Sequence, residues 1–430
     1  MGAATLLYLI LGIVIFDYLL DQFLDWLNFK GLKQSLPDRL ADVYEQKEYD
    51  KSQSYQHTRA RFSFLTSAFS TVLSVIILAW GGFGYLDSVL SPMVEDPILL
   101  SLVFFGTLFI LSDLVNLPFQ WYSVFVIEEK FGFNKTTVKT FFTDKLKGYL
   151  LAVIIGGALG YVLLWLIQEL GRDFWWYALI VITAFSLFAN LFYTSLILPL
   201  FNKLKPLDEG GLKDQIEAYA KKVSFPLDNI FVIDGSKRST KANAFFSGLG
   251  KKKKVVLYDT LIEKQSNEEL VAVLAHEVGH YKKKHIILSL VLGVLQTAVT
   301  LYIMSLLIFN VELSRALGGM QLSIHLNLIA FGLLYTPISR VTGLFMNLLS
   351  RKNEYEADAY AASTYAATPL QEALKKLSVT SLSNLTPHPW YVYVNYSHPP
   401  LLQRLKALDA LSVETANGGF GDKEITETET

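Results

Sequence analysis

Apolar residues in this chain come in long runs, not in the short periodic segments of a soluble domain. A helix needs about 20 apolar residues to cross the hydrocarbon layer of a bilayer. Seven runs qualify: Gly2 to Leu27, Phe62 to Leu86, Ile98 to Ile127, Gly148 to Gln168, Phe174 to Asn202, Ile286 to Val311 and Gln321 to Ser350. Their only charges are Asp17, Asp21 and Asp25 in the first, Asp113 in the third and Arg340 in the seventh. The first run has neither the basic leading region nor the cleavage site of a signal peptide, so it reads as a permanent span.

The polar remainder forms two blocks. In 203–285, Asn229 to Asp234 and Lys254 to Leu261 are apolar and β-branched and predict short strands, with Asn243 to Ser247 a further one. Ser266 followed by Glu269 matches a capping box and opens a helix that runs through His276 to the next span. The block 351–411 predicts helices, interrupted near Pro387, Pro389, Pro399 and Pro400. The tail 412–430 is acidic, contains glycine and reads as disordered. The chain thus divides into spans one to five (1–202), a polar block (203–285), spans six and seven (286–350), a second polar block (351–411) and a tail.

Composition agrees with the pattern. Only 18% of the 430 residues are charged, against about 25% in soluble domains, and the mean hydropathy is +0.34. An ordinary soluble enzyme and a disordered chain are excluded, and with no cysteine so is a disulfide scaffold. A net charge of -1 gives no basic field for nucleic acid. Seven Lys and Arg lie between Lys30 and Arg61, after span one, and five lysines between Lys130 and Lys147, after span three. The segment between spans five and six is also basic, whereas the other loops hold none, Arg172 alone and Arg315 alone. By the positive-inside rule the N-terminus lies outside or in a lumen, and the C-terminus in the cytoplasm. Asp17, Asp21 and Asp25 recur every four residues and share a helical face. That face either continues as an amphipathic helix beyond the membrane or lines a water-filled interior. Asp113 and Asn116, with apolar sequence on both sides, point to the interior, and Arg340 is expected to snorkel to the cytoplasmic surface.

The strongest chemical signal is His276-Glu277-Val278-Gly279-His280, an H-E-x-x-H on the capped helix. Spacing of four puts both imidazoles on one face, where they can hold one Zn²⁺, and Glu277 beside them can take a proton from the attacking water. A catalytic zinc needs a third protein ligand. Glu312 falls on the opposite side of the membrane and is excluded. Glu354 and Asp358, directly after span seven, are four apart and share a face, and by spacing alone either could be that ligand.

These motifs make the chain resemble the type I CAAX prenyl endopeptidases, integral-membrane zinc metalloproteases of the gluzincin group. The resemblance runs from the first span to about Leu408. Beside HEVGH and the Glu354-x-x-x-Asp358 pair, it rests on the segments Ile127 to Lys135, Leu200 to Leu207, Asn243 to Gly248 and Tyr396 to Leu405. It implies that His276, His280 and Glu354 bind one zinc ion, with Glu277 as general base and Asp358 supporting a ligand histidine. It further implies that His398 donates to the oxyanion, that Arg404 is structural or orients substrate, and that Asn243 lies in an edge strand pairing with extended substrate. The implied architecture is an α-helical polytopic protein: a seven-helix barrel around a water-filled chamber, closed on the cytoplasmic side by a small α+β zincin-type domain. The implied activity is removal of the last three residues of a prenylated CAAX sequence, with the lipid bilayer and the prenylated protein as partners.

Three alternatives stand beside this reading. A membrane-protein quality-control metalloprotease would use the same residues. A transporter or channel would use the intramembrane aspartates, but no inverted repeat supports it. An intramembrane-cleaving zinc protease is disfavoured because Lys282 to Lys284 place the motif at the surface and no LDG motif follows. The C-terminus carries no KDEL-type signal, which leans toward a prokaryotic plasma membrane, with an endoplasmic reticulum membrane the alternative.

Overall fold

The computed structural model describes residues 1–32, 35–41, 45–247 and 253–416. Lys33, Gly248, Lys251, Lys252 and the 417–430 part of the tail lie outside these residues. Among the described residues, six helical runs are long and apolar enough to cross a membrane. The first three hold α1 (Ala3–Lys30), α2 (Gln46–Ala79) and α3 (Pro97–Tyr122). The fourth, Val138–Phe201, contains two of the expected spans, α4 (Gly157–Leu170) and α5 (Phe174–Phe192). They fold back on each other at Gly171, whose φ of 55° is open to glycine at little cost. That reversal is why seven apolar runs appear as six helical ones.

A small domain follows, with strands β1 (Leu204–Pro206), β2 (Leu227–Ile233), β3 (Ala244–Ser247) and β4 (Lys253–Tyr258), and helices α6 (Gly211–Lys222) and α7 (Asn267–Lys282). The sheet order is β1-β2-β4-β3, with β2 and β4 parallel and both edge strands antiparallel to their neighbours. Strand β1 has no counterpart in the sequence reading. The expected strand through Leu261 ends at Tyr258, because Asp259 accepts from its neighbour Thr260 N at 2.8 Å and from Ser236 N at 2.9 Å, and the chain turns helical there. The last spans are α8 (His285–Leu307) and α9 (Ile324–Thr364), the latter running 41 residues from the bilayer into the polar domain. Helices α10 (Ala367–Thr380), α11 (Pro389–Asn395) and α12 (Leu401–Ala416) complete it. Helix α12 continues past Leu411 to Ala416, and the rest of the expected tail lies outside the described residues.

The spanning helices close a ring in the order α1, α2, α3, α4, α5, α8, α9 and back to α1. Phe69 of α2 meets Phe119 of α3 with ring centroids 5.1 Å apart, closing the α2–α3 seam. The chain start and three loops share one end of this ring. Ala3 N donates to Glu312 at 2.9 Å, Gly84 N to Leu317 O at 2.8 Å, and Phe174 packs with Ile308. The sheet and α7 lie at the other end.

Cavities with both polar and apolar walls open inside the ring. One of about 540 Å³ is lined by Asp17, Asp21, Asp25, Ser63 and Ser67. A larger one of about 820 Å³ shares Asp25, Ser63, Tyr391 and Asn395 with it and reaches His398 and Arg404. The three aspartates therefore face the interior. Arg340 does not snorkel: it donates to Asp17 at 2.7 Å and to Asp21 at 2.8 and 3.0 Å across the α1–α9 contact. A charge at that depth is held more cheaply by two carboxylates on a facing helix than by stretching to the surface. Asp113 is likewise paired, accepting from Lys145 at 2.7 and 2.8 Å and from Gln120 at 3.1 Å.

Candidate metal centre

Helix α7 starts with a complete capping box. Glu269 N donates to the Ser266 hydroxyl at 3.3 Å, and Ser266 N donates back to the Glu269 carboxylate at 2.9 Å. Leu270, Val271, Leu274 and Val278 bury one face of the helix in the domain core beside Val255 and Leu257. The face bearing His276 and His280 turns toward α9. The two helices pack unusually close at Gly279, where a Cβ would lie 2.9 Å from Ala357 Cα and 3.0 Å from its carbonyl oxygen. That approach sets Glu354 and Asp358 opposite the histidines.

One nitrogen or oxygen from each of His276, His280 and Glu354 falls within a 4.8 Å cluster. The His276 and His280 Nε2 atoms are 3.2 Å apart. Glu354 places Oε2 3.6 Å from the first and Oε1 3.3 Å from the second. Glu354 Oε2 is buried and has no hydrogen-bond partner. The nearest cation, Arg404 Nη1, stays 3.6 Å from that oxygen, beyond hydrogen-bond reach, and two imidazoles with one carboxylate are the donor set of a catalytic divalent metal. The residues fit a metal ion. Burial opposes a positive charge on His280, but its hydrogen bond with Glu354 and the charges of Glu354 and Glu277 outweigh it and raise its pKa above the usual imidazole value. The pocket favours a cation.

Asp358 stands behind the cluster. Its Oδ1 is 2.8 Å from His276 Nδ1, the nitrogen turned away from Glu354. Arg404 clamps the same carboxylate, Nε donating to Oδ2 at 2.8 Å and Nη2 to Oδ1 at 2.6 Å. His398 lies at the mouth, 65% exposed, with Nε2 3.3 Å from Glu354 Oε1. Glu277 is half-buried, close enough to raise the proton affinity of both His280 and Arg404. Asn243 is exposed and immediately precedes β3, an edge strand of the sheet. The structure thus gathers every candidate but Asn243 around one point.

Three residues had no sequence signal. Asn347 and Arg351, one turn apart on α9, donate to the carbonyls of Val394 and Val392 at 2.8 and 3.1 Å, and Arg351 also reaches Tyr396 O. They fix the end of α11 and hence the turn that carries His398. His285, without a pattern in the sequence, sits against His280 at 3.1 Å.

Comparison with known proteins follows the same division. Residues 206–412 match the model of peptidase family M48, and residues 26–203 match "CAAX prenyl protease N-terminal, five membrane helices". CAAX prenyl protease 1 of Saccharomyces cerevisiae is 35% identical over 95% of this chain and 96% of its own. The chain belongs to peptidase family M48. A CAAX prenyl protease 1 homolog of Homo sapiens is 33% identical over 87% of this chain and 89% of its own. The crystal structure of S. mikatae Ste24p superimposes with a TM-score of 0.89 at 35% identity, covering 95% of this chain and all of that one. M48 is a family of zinc metalloproteases, so the chain is a multi-pass membrane metalloendopeptidase, with the seven-helix barrel and small mixed domain expected of it.

Proposed function

We propose that this M48 peptidase holds one zinc ion between His276, His280 and Glu354 and cleaves prenylated proteins near their C-terminus. The observation that carries the metal reading is the convergence of the His276 and His280 Nε2 atoms on a buried Glu354 carboxylate, with one ligand atom of each residue within 4.8 Å of the others. When bound, zinc supplies a Lewis acid that polarises the scissile carbonyl and makes water acidic enough to attack near neutral pH. Glu277 accepts the proton of the attacking water and passes it to the leaving amine. His398, held by its Nδ1 contact of 3.0 Å with Ser397 Oγ, presents Nε2 at the mouth and donates to the oxyanion. Asp358 keeps His276 in the tautomer whose Nε2 lone pair faces the metal, and Arg404 fixes Asp358. The edge strand β3, with Asn243 just before it, pairs with the extended substrate.

The substrate class rests on the relatives' names, and a cavity of about 820 Å³ leads to His398. The product is a protein shortened by its last three residues. The organisation proposed is five spans in 1–202, catalytic segments in 203–285 and 351–411, and two spans in 286–350. We place the metal on the cytoplasmic side, because the basic loops flank its end of the ring. That rule gives the same face in a prokaryotic plasma membrane and in an endoplasmic reticulum membrane.

The test is hydrolysis by purified protein of a farnesylated CAAX peptide and its unprenylated twin, with a chelator control. Release of the tripeptide from the farnesylated peptide, faster than from the twin and abolished by the chelator, is expected. Equal cleavage of both would remove the prenyl specificity and leave a general membrane protease. Cleavage that survives metal removal would overturn the metal mechanism.

A further inference from the structure

We propose that His285 and Glu356 form a positioning pair that locks His280 in the tautomer and ring orientation a metal ligand requires. The proposal rests on the zinc reading of the His276, His280 and Glu354 cluster. His280 turns Nε2 toward His276 and Glu354, which leaves Nδ1 for another partner. That nitrogen is 3.1 Å from Nδ1 of His285, and the Nε2 of His285 is 3.1 Å from Glu356 Oε2. The inventory of donors allows one consistent neutral arrangement. An ionised carboxylate only accepts, so His285 carries its proton on Nε2 and offers a lone pair at Nδ1. His280 must then donate from Nδ1, and its Nε2 is left as the bare lone pair facing the metal. Glu356 thereby does for His280, through one intervening imidazole, what Asp358 does directly for His276.

The backbone builds this contact. His280 and His285 are five residues apart, which on one continuous helix would set them about 140° apart. Lys284 instead takes a left-handed conformation, φ 59°, that ends α7 and starts α8, so His285 swings back beside His280. Glu356 comes from the side of α9 away from Glu354, so one helix supplies both the candidate ligand and the anchor of the relay. The side chain of His285 is only 6% exposed and is occupied at both nitrogens. Glu356 is 38% exposed and also lies 3.7 Å from Lys352.

The experiment measures the zinc affinity of the full-length chain in detergent, stripped and then titrated against a competing fluorescent chelator. His285→Leu, which removes both polar atoms of the relay, is expected to weaken zinc binding about 10–100-fold. His285→Asn, which restores an acceptor near Nδ1, is expected to recover part of that loss. Glu356→Ala lies near the surface and leaves the fold least disturbed, and about a tenfold loss is expected. A lower melting temperature of the zinc-free protein with unchanged zinc affinity would show a merely structural role and overturn the proposal. So would affinity within twofold of the unaltered chain in both His285→Leu and Glu356→Ala. An unaltered chain that takes up no zinc would overturn the underlying metal reading, an outcome distinguishable from failure of the pair alone.

Discussion

At the scale of single residues the candidate site separates chemistry from support. Glu277 is half-buried beside His280 and contributes no oxygen to the three-residue cluster. Glu277→Gln is therefore expected to keep one zinc per chain by elemental analysis while lowering kcat by about 10²–10⁴-fold. An active Glu277→Gln enzyme would remove it as the base. The HEVGH motif was legible because its meaning is local: four residues on a helix bring two imidazoles together in any fold. The choice between Glu354 and Asp358 was not, since both share a face of α9. It depends on the height at which α7 crosses α9, which sets Glu354 opposite the Nε2 atoms and Asp358 opposite Nδ1 of His276. His285 was invisible because its contact is made by a backbone turn at Lys284 that residue spacing does not encode.

At the scale of elements, the geometry of the site is the geometry of one helix crossing. Helix α7 is fixed by its capping box and by the sheet beneath it, and its distance from α9 is set by Gly279 against Ala357. A methyl group there would meet backbone, which cannot move aside as a flexible side chain can. Gly279→Ala is expected to destabilise the protein by about 1–3 kcal/mol and to weaken zinc binding, because pushing α9 away carries Glu354 with it. Thermal melting with and without zinc checks this: a variant that melts normally in both states would mean that the crossing is looser than its close approach indicates. Strands β2 and β4 were legible as β-branched runs and β1 was not, and the end of β4 was hidden too, since Asp259 stops it through side-chain bonds to nearby backbone. The brace from Asn347 and Arg351 to α11 was likewise hidden, because it joins side chains to carbonyls some 45 residues distant, and carbonyls carry no sequence signature.

At the scale of the whole molecule, the membrane spans are written in contiguous composition, and all seven apolar runs become helices of the ring. Ring order, and the pairing of Arg340 with Asp17 and Asp21, are decided by neighbours far along the chain and were beyond the reach of hydropathy. What the ring adds is a geometric test of orientation that uses no charge rule. The chain start, the loop near Gly84, the turn before Phe174 and the segment near Glu312 gather at one end, and the metal cluster lies at the other. An odd number of crossings must then put the two termini on opposite faces. The chain has no native cysteine, so single cysteines report position without background. Glu95 and Lys221 are both exposed, the first at the far end and the second in the metal domain. In sealed vesicles with the outer face exposed, an impermeant maleimide is expected to label Glu95→Cys at once and Lys221→Cys only after permeabilisation. Because the ring fixes the two positions at opposite ends, labelling of both in sealed vesicles would break the seven-crossing architecture. The reversed pattern would keep the architecture and turn the metal centre to the outer face, where a prenylated cytosolic protein could not reach it.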